Sequence, residues 1–478
     1  MSYAEWMALM PLIVLAGAAS VVLLAAAFVR RHGLIAGLSV TGLLAFMGSL
    51  LYAAPVIPVQ VTELFLVDAF ALVYWVLIAG ATVATTLLSH HYFQGRHSQP
   101  EEVYPLLLLG ALGACALAAS VHFISLFLSL ELLSVCLFIL VPYRCAHARP
   151  VEAGIKYLVL GGLATGFLLF GMALVYAQSG ALGFGSAGTT QSGLHPVVGV
   201  TGAVLILAGL AFKLSLVPFH LWTPDVYEGA PAPISGFLAT VSKGSVLAVL
   251  MRYTLSHDPE AGTALWNALA VIAGASMLAG NWLALLQDNL KRLLAYSSIA
   301  HMGYALVAVL AGGAFGAETV TVYLVFYFIT NLGAFGVIAL YSRASPGDER
   351  EAEGIHDLQG IFWHRPALAF VMTLMLLSLA GVPLTAGFIG KFYILAAGMR
   401  QELWTLVMLV IVGSAIGLFY YLRVILIMLQ AEPRETMTGA ALDRPVSGAL
   451  CLAVLSALLI WVGVYPGPVL EWVAGAVQ

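Results

Sequence analysis

Five titratable residues stand inside long apolar runs. They are Glu131 in HFISLFLSLELLSVCLFILVPY, Lys213 and Lys243 in GLAFKLSLVPFHLWTPDVYEGAPAPISGFLATVSKGSVLAVL, His301 in LAYSSIAHMGYALVAVLAGG, and Lys391 in LAGVPLTAGFIGKFYILAAG. A charged group at the centre of a bilayer costs about 2.5–3.5 kcal/mol on insertion scales, so it needs a partner or a wet cavity. Groups of these types, spaced near one depth, can hold and pass protons. An amine deprived of water favours its neutral form, a carboxylate beside it restores the charge, and separating the two drives the proton off. The competing reading is structural: Glu131 and Lys213 form an ion pair, and the other groups are satisfied within the bundle or reach its ends. Reaching out serves Arg423 and Arg252, which lie close to segment ends. It fails for Lys213, Lys243 and Lys391, which stand about ten residues, or roughly 15 Å of helix, from one end of their segments.

Two prolines place the lysines more narrowly. Pro218 follows Lys213 by five residues and Pro383 precedes Lys391 by eight. Proline removes a backbone donor and opens the hydrogen-bond ladder, so both segments are expected to be broken helices with a lysine at the break. Lysine comes before proline in one segment and after it in the other, the order that an inverted repeat produces.

The elements that must hold these groups are membrane spans. Charged residues are 9% of the 478, far below the roughly 25% of soluble domains. Apolar windows start near residues 7, 33, 67, 103, 122, 156, 198, 231, 262, 293, 317, 366, 402 and 445, predicting an all-α polytopic membrane protein of about 14 transmembrane helices. Helices 4–8 and 9–13 pair as two inverted five-helix repeats with broken helices 7 and 12. Glu131 then corresponds to His301, and Lys213 to Lys391. The expected division is residues 1–102 for helices 1–3, 103–256 and 257–430 for the two halves, and 431–478 for helix 14.

Of the Lys and Arg residues, 13 follow odd-numbered helices (Arg30, Arg31, Arg96, Arg144, Arg149, Lys156, Lys291, Arg292, Arg343, Arg350, Arg365, Arg434, Arg444) and 2 follow even-numbered ones (Arg252, Arg400). That asymmetry predicts the odd ends in the cytoplasm and both termini on the other side. MSYAEWMALMPL carries no basic residue ahead of its apolar run, so the first helix is expected to be retained.

Other motifs point nowhere. GFGSAG, from Gly183 to Gly188, matches G-x-G-x-x-G but lacks the strand, the helix and the acidic residue of a dinucleotide site. His90, His91, His97, His356 and His364 form no i, i+4 pair with an acidic partner and are read as solvated loop residues, so no metal site is expected. Cys115, Cys136, Cys145 and Cys451 show no C-x-x-C, and three of them are expected in or at the ends of helices as small apolar residues, so no disulfide framework is indicated.

Two longer stretches are distinctive. FKLSLVPFHLWTPDVYEGAPAPISGFLATVSK (Phe212 to Lys243) and DNLKRLLAYSSIAHMGY (Asp288 to Tyr304) resemble the signature stretches of the antiporter-like membrane subunits of respiratory complex I, the bacterial NADH:quinone oxidoreductase. The likeness spans nearly the whole chain in helix count and landmark order. FHLWTPDVYEGAP stands where two of the related subunit types carry a PLHTWLPDAMEGPTP-like stretch. Lys243 stands where those relatives usually have His, and Lys391 where one of them has Glu. The chain also leaves no room for the long lateral C-terminal helix of another relative.

The resemblance implies proton translocation coupled to electron transfer from NADH to quinone. Glu131 and Lys213 then match the coupling ion pair of the first half, Lys243 the central proton carrier, His301 a link in the second half and Lys391 its terminal residue. Lys156, at the cytoplasmic start of segment six, matches a lysine between that pair and its neighbours. His220, Asp225 and Tyr296 match motif positions with supporting roles, although from the residues alone Asp225 and Glu228 would simply cap and solvate the loop after the break. NADH, FMN, iron–sulfur clusters and quinone (ubiquinone in many bacteria) are then expected in partner subunits and no cofactor in this chain. Its partners would be other membrane subunits, neighbouring antiporter-like ones included, and the lipid of a bacterial inner membrane, with no nucleic acid. A cation/proton antiporter or a membrane-bound hydrogenase subunit of the same fold, a solute carrier, and a structural spacer between subunits are the alternatives.

Overall fold

Ser2 opens the first helix by a reciprocal cap, its hydroxyl accepting from the Glu5 N–H at 3.2 Å while the Glu5 carboxylate accepts from the Ser2 N–H at 3.0 Å. The computed structural model describes residues 2–94, 99–143, 148–186, 197–257, 263–342, 351, 353–431 and 446–477. The helices, in chain order, are α1 (Tyr3–Phe28), α2 (His32–Ala53), α3 (Ala69–Phe93), α4 (Val103–Ala119), α5 (Phe123–Leu140), α6 (Ala148–Ser179) and α7 (Val197–Leu214). There follow α8 (Trp222–Gly229), α9 (Ala232–Phe237), α10 (Lys243–His257), α11 (Ala264–Leu285), α12 (Leu290–Ala311) and α13 (Gly313–Tyr341). The remainder are α14 (Ile361–His364), α15 (Pro366–Ala380), α16 (Ala386–Arg400), α17 (Trp404–Leu429), α18 (Val446–Val464) and α19 (Gly467–Val477).

Among the described residues 13 helical runs are long and apolar enough to cross a membrane. The short helices α15 and α16 together make a fourteenth span, broken at 381–385. The expected count and both breaks are present. One departure is a small antiparallel hairpin, β1 (Val59–Val61) with β2 (Phe65–Val67), between α2 and α3. Another is α6, which starts at Ala148 and so carries Lys156 inside the helix rather than at its first residue.

Burial sorts the helices. The run from Ala232 to Ser256 and α12 are buried on every side, whereas α1, α6 and α18 show one face outward. A helix that is enclosed all round can carry polar side chains only if each finds a partner inside the protein. Lys243 and His301 lie on these enclosed helices.

The α6–α7 pair, which frames the first break, meets through glycine. A methyl added to Gly202 would lie 2.8 Å from the Gly171 carbonyl oxygen, and one on Gly171 would lie 2.6 Å from that of Gly202. Small residues on both faces let the two backbones touch, the usual device between helices in a membrane. Gly202→Val is expected to push α7 off α6 and to lower the amount of assembled protein in membranes several-fold, whereas Gly166→Val, with open space around it, should leave the amount unchanged; quantitative blotting of the two variants checks this.

Candidate functional site

The first break begins where α7 runs out at Leu214. Pro218 cannot donate, and Ser215 takes a left-handed conformation with φ 62°. The backbone groups this frees are recovered within the break and from α11. Leu216 N–H donates to the Ala211 carbonyl at 2.8 Å, the Trp222 indole to the Phe212 carbonyl at 3.0 Å, and Val217 N–H to Ser276 Oγ at 2.9 Å. Lys213, next to last in α7, is 4% exposed, and its Nζ donates to Ser134 Oγ at 2.7 Å and sits 5.5 Å from the Phe138 ring centre. Glu131, one turn before Ser134 on α5, accepts instead from Thr165 Oγ1 at 2.8 Å. The ion pair expected from the sequence is thus open here: among the described residues no contact within 4.0 Å joins Glu131 to Lys213, and each holds a hydroxyl.

Lys243 opens α10 directly after a π-turn at Leu238–Ser242, an irregularity frequent at functional sites. It is fully buried, and its Nζ donates to Ser298 Oγ at 2.6 Å on α12 and lies 5.4 Å from the Tyr227 ring centre. Ser298 in turn is 2.6 Å from the Tyr327 hydroxyl on α13. His301, one turn after Ser298 on the same face of α12, reaches the Tyr323 hydroxyl from Nδ1 at 2.6 Å and the Tyr421 hydroxyl from Nε2 at 3.4 Å. Tyr323 and Tyr327 are one turn apart on α13 with stacked rings, and Tyr421 also bonds Ser297.

The second break repeats the first with a different solution. Gly381, at φ 84°, ends α15, and Lys391 on α16 turns its Nζ back across the gap to the Ala380 carbonyl at 2.9 Å. A cation at the end of a helix faces the carbonyl-rich, negative pole of its dipole. Lys391 also lies 5.4 Å from the Tyr304 ring centre, and the Tyr304 hydroxyl accepts from Asn281 at 2.8 Å.

Four of the expected groups, Lys213, Lys243, His301 and Lys391, are therefore buried, each with a hydroxyl or carbonyl partner. Lys156 is not with them. It stands in the first third of α6, with 42% of its side chain exposed, paired to Glu152 and Asp225 at 2.7 Å each. Asp225 and Glu228 do more than cap a loop, because both also accept from Arg292 at 2.8 Å, tying the second part of broken helix 7 to the start of α12. His220 lies in the first break, 8% exposed, with its Nδ1 lacking a hydrogen-bond partner among the described residues. Tyr296 is half-buried at the edge of the core.

Sequence reasoning missed Ser134 and Ser298, the Tyr227 ring beside Lys243, and the hydroxyls of Tyr323, Tyr327 and Tyr421. Serine and tyrosine are common in membrane helices, and only the i, i+4 spacing of Tyr323 and Tyr327 offered a signal. Histidine placement also differs from the loop reading. His90 and His91 are in the last turn of α3, and the His90 ring packs 4.7 Å from that of His32, whereas His356 and His364 lie in short helical turns. Cys115, Cys136 and Cys451 are buried and free. Among the described residues no group of three or more His, Cys, Asp or Glu could hold a metal ion. Gly183 forms a lone bridge with His122 and Phe184–Ser186 a short 3-10 turn. Ala187, Gly188, His97, Cys145, Arg96, Arg144, Arg343, Arg350, Arg434 and Arg444 lie outside the described residues.

Residues 120–417 match the family described as NADH:quinone oxidoreductase/Mrp antiporter, TM. The chain is 48% identical over 475 residues to the NADH-quinone oxidoreductase subunit N of Ectopseudomonas mendocina, covering 98% of this chain and 96% of that one. It is 47% identical over 476 residues to the subunit N of Methylococcus capsulatus, with 98% and 95% covered. Its fold is similar to a chain of respiratory complex I from Thermus thermophilus, solved with bound aureothin, at TM-score 0.81 and 32% identity over 96% of this chain and 98% of that one.

Proposed function

We propose, from the premise that this chain belongs to the NADH:quinone oxidoreductase/Mrp antiporter family and, within it, to the subunit N group of NADH-quinone oxidoreductases, that its buried Glu/Lys/His row carries protons through Lys243 and Ser298. The single observation that supports this most is the fully buried Lys243 Nζ with Ser298 Oγ at 2.6 Å, followed by the Tyr327 hydroxyl at 2.6 Å from Ser298. A hydroxyl can accept a proton from one neighbour while donating its own to the next. The row is then read in order. Glu131 approaches Lys213 and holds it charged; when the two part, as they stand here, Lys213 favours passing its proton inward to Lys243. Ser298 and Tyr327 bridge from Lys243 towards His301, and Lys391 receives the proton at the second break. Lys156 and Asp225, with Arg292, brace the basic end of broken helix 7, and His220 lines the break.

In this reading residues 103–256 and 257–430 are the two inverted halves, residues 1–102 and 431–478 flank them, and both termini face away from the cytoplasm. NADH, FMN, iron–sulfur clusters and quinone act in partner subunits, and the mechanism within this chain is electrostatic. Lys213→Ala tests the first step. In membrane vesicles with the complex assembled, NADH-driven proton flux is expected to fall about fivefold, comparable to the loss of about 1 kcal/mol of coupling. Unchanged flux and unchanged NADH oxidation would remove Lys213 from the route.

A further inference from the structure

The basic end of the molecule holds a second buried charge cluster that the proton row does not use. Lys291, the second residue of α12, and Glu351, in the connection after α13, are both 0% exposed in their side chains and meet at 2.5 Å. Both also reach the joint between α8 and α9, and Lys291 Nζ lies 3.8 Å from Glu353 Oε1 as well. Lys291 Nζ donates to the Ala230 carbonyl at 2.7 Å, and Glu351 Oε1 accepts from the Ala232 N–H at 3.1 Å and from the Tyr92 hydroxyl at the end of α3. Pro231 lies between these two backbone groups and has no N–H of its own to offer. The backbone beside Glu351 is pinned as well, with Leu290 N–H on the Glu353 carbonyl at 2.6 Å and Ile355 N–H on the Asp288 carbonyl at 2.8 Å. Burial holds the Glu353 carboxyl above the usual carboxylate range, against the pull of Lys291.

A buried ion pair adds little net stability over an apolar replacement, so its use is best sought in what it positions. Here the geometry is specific. Ala232 begins the helical run that reaches Lys243, and Lys291, in the first turn of α12, precedes Ser298 by two turns on the same face. Side chains on a helix tilt towards its N-terminus, which lets Lys243 lean back towards Ser298 from about 16 Å along its own helix, against about 10 Å on α12. Side chains thus tie this run to α12 at two places, the Lys291–Glu351 clasp at the α8–α9 joint and the Lys243–Ser298 bond further in.

We infer that Lys291 and Glu351 are positioning residues for proton transfer at Lys243: by clasping the α8–α9 joint to the start of α12 they set the register at which Lys243 meets Ser298. The inference rests on the reading that Lys243 and Ser298 carry protons.

The test is a double-mutant cycle in membrane vesicles, reading NADH-driven proton flux per assembled complex for Lys291→Met, Ser298→Ala and the pair together, with Lys243→Met alongside. Each single variant is expected to lose about threefold, and the pair to lose no more than the worse single variant, since both disturb one contact. Lys291→Arg should restore most of the flux. A pair that loses about ninefold, the product of independent effects, overturns the inference, as does a Lys291→Met complex that assembles and pumps normally while Ser298→Ala does not. If Lys291→Met fails to assemble, the same cycle with Glu351→Gln decides by the same criteria. Normal pumping in both Lys243→Met and Ser298→Ala would instead sink the proton-carrying reading beneath it.

Discussion

Lys243→Met is expected to cut NADH-driven proton flux by about tenfold or more in a complex that assembles normally, and Lys243→Arg is expected to fare no better. The Met variant replaces a fully buried amine with an apolar chain of similar length, which removes a polar group from an enclosed site and its desolvation cost with it. Ser298 keeps Tyr327 as a hydrogen-bond partner, so no polar group is orphaned. Tenfold corresponds to about 1.4 kcal/mol of barrier, within what one intramembrane proton carrier can contribute. The Arg variant separates two roles that Lys combines. A guanidinium keeps the charge but does not release its proton at any working pH, so a residue needed only as a fixed charge would tolerate it. Flux that persists in Lys243→Arg would make Lys243 an electrostatic fixture and move the proton route elsewhere.

The second large effect concerns folding. Asp68→Ala is expected to reduce the assembled protein strongly, because Arg252 is left without its partner. The Arg252 guanidinium, 7% exposed, makes a two-pronged contact with Asp68 at 2.5 and 3.0 Å, while its Nε donates to the Ala118 carbonyl at 2.6 Å and its plane lies 4.9 Å from the Phe70 ring centre. Asp68 also caps α3 by accepting from Ala71 N–H at 2.8 Å. Breaking a buried pair from one side costs about 3–5 kcal/mol, less here because Asp68 is partly exposed, and losing a cap adds about 1 kcal/mol. The sequence reading treated Arg252 as a side chain that reaches out to water from a segment end. The structure turns it inward, onto an acid 184 residues away in the chain. Heat-induced aggregation in detergent, with Asp68→Asn as the milder companion, reads the effect; equal melting of Asp68→Ala and the unaltered protein would show the contact to be dispensable.

These contacts mark the border between what local sequence carries and what it does not. Span positions were readable because the bilayer demands a run of apolar residues of fixed length, and a run is a local property. The starts of α5, α7, α9, α15 and α18 fall within two residues of their expected places. The breaks were readable for the same reason, since Pro218 and Pro383 act on their own neighbours. The placement of Lys213, Lys243, His301 and Lys391 within those runs followed from counting along them.

Partners were not readable, because they come from other helices and no local pattern encodes them. Glu131 and Lys213 were expected in contact and stand apart on Thr165 and Ser134. Asp225 and Glu228 looked like loop caps until Arg292, more than 60 residues on, was folded against them. Glu351 sits in a polar stretch, GDEREAEG, that reads as solvent-exposed, yet its carboxylate is enclosed with Lys291 against the α8–α9 joint.

By itself, then, the sequence determined that this is a membrane chain of about fourteen spans with two proline-broken helices and ionisable groups inside its apolar runs, because hydrophobicity, proline and charge act where they stand. Only the tertiary structure decided which hydroxyl or carbonyl each buried lysine holds, that Ser298 stands between Lys243 and Tyr327, and which charges clasp α8 and the α8–α9 joint to the start of α12. A hydrogen bond depends on ångström distances between atoms far apart in the chain, and those are set only when the helices pack.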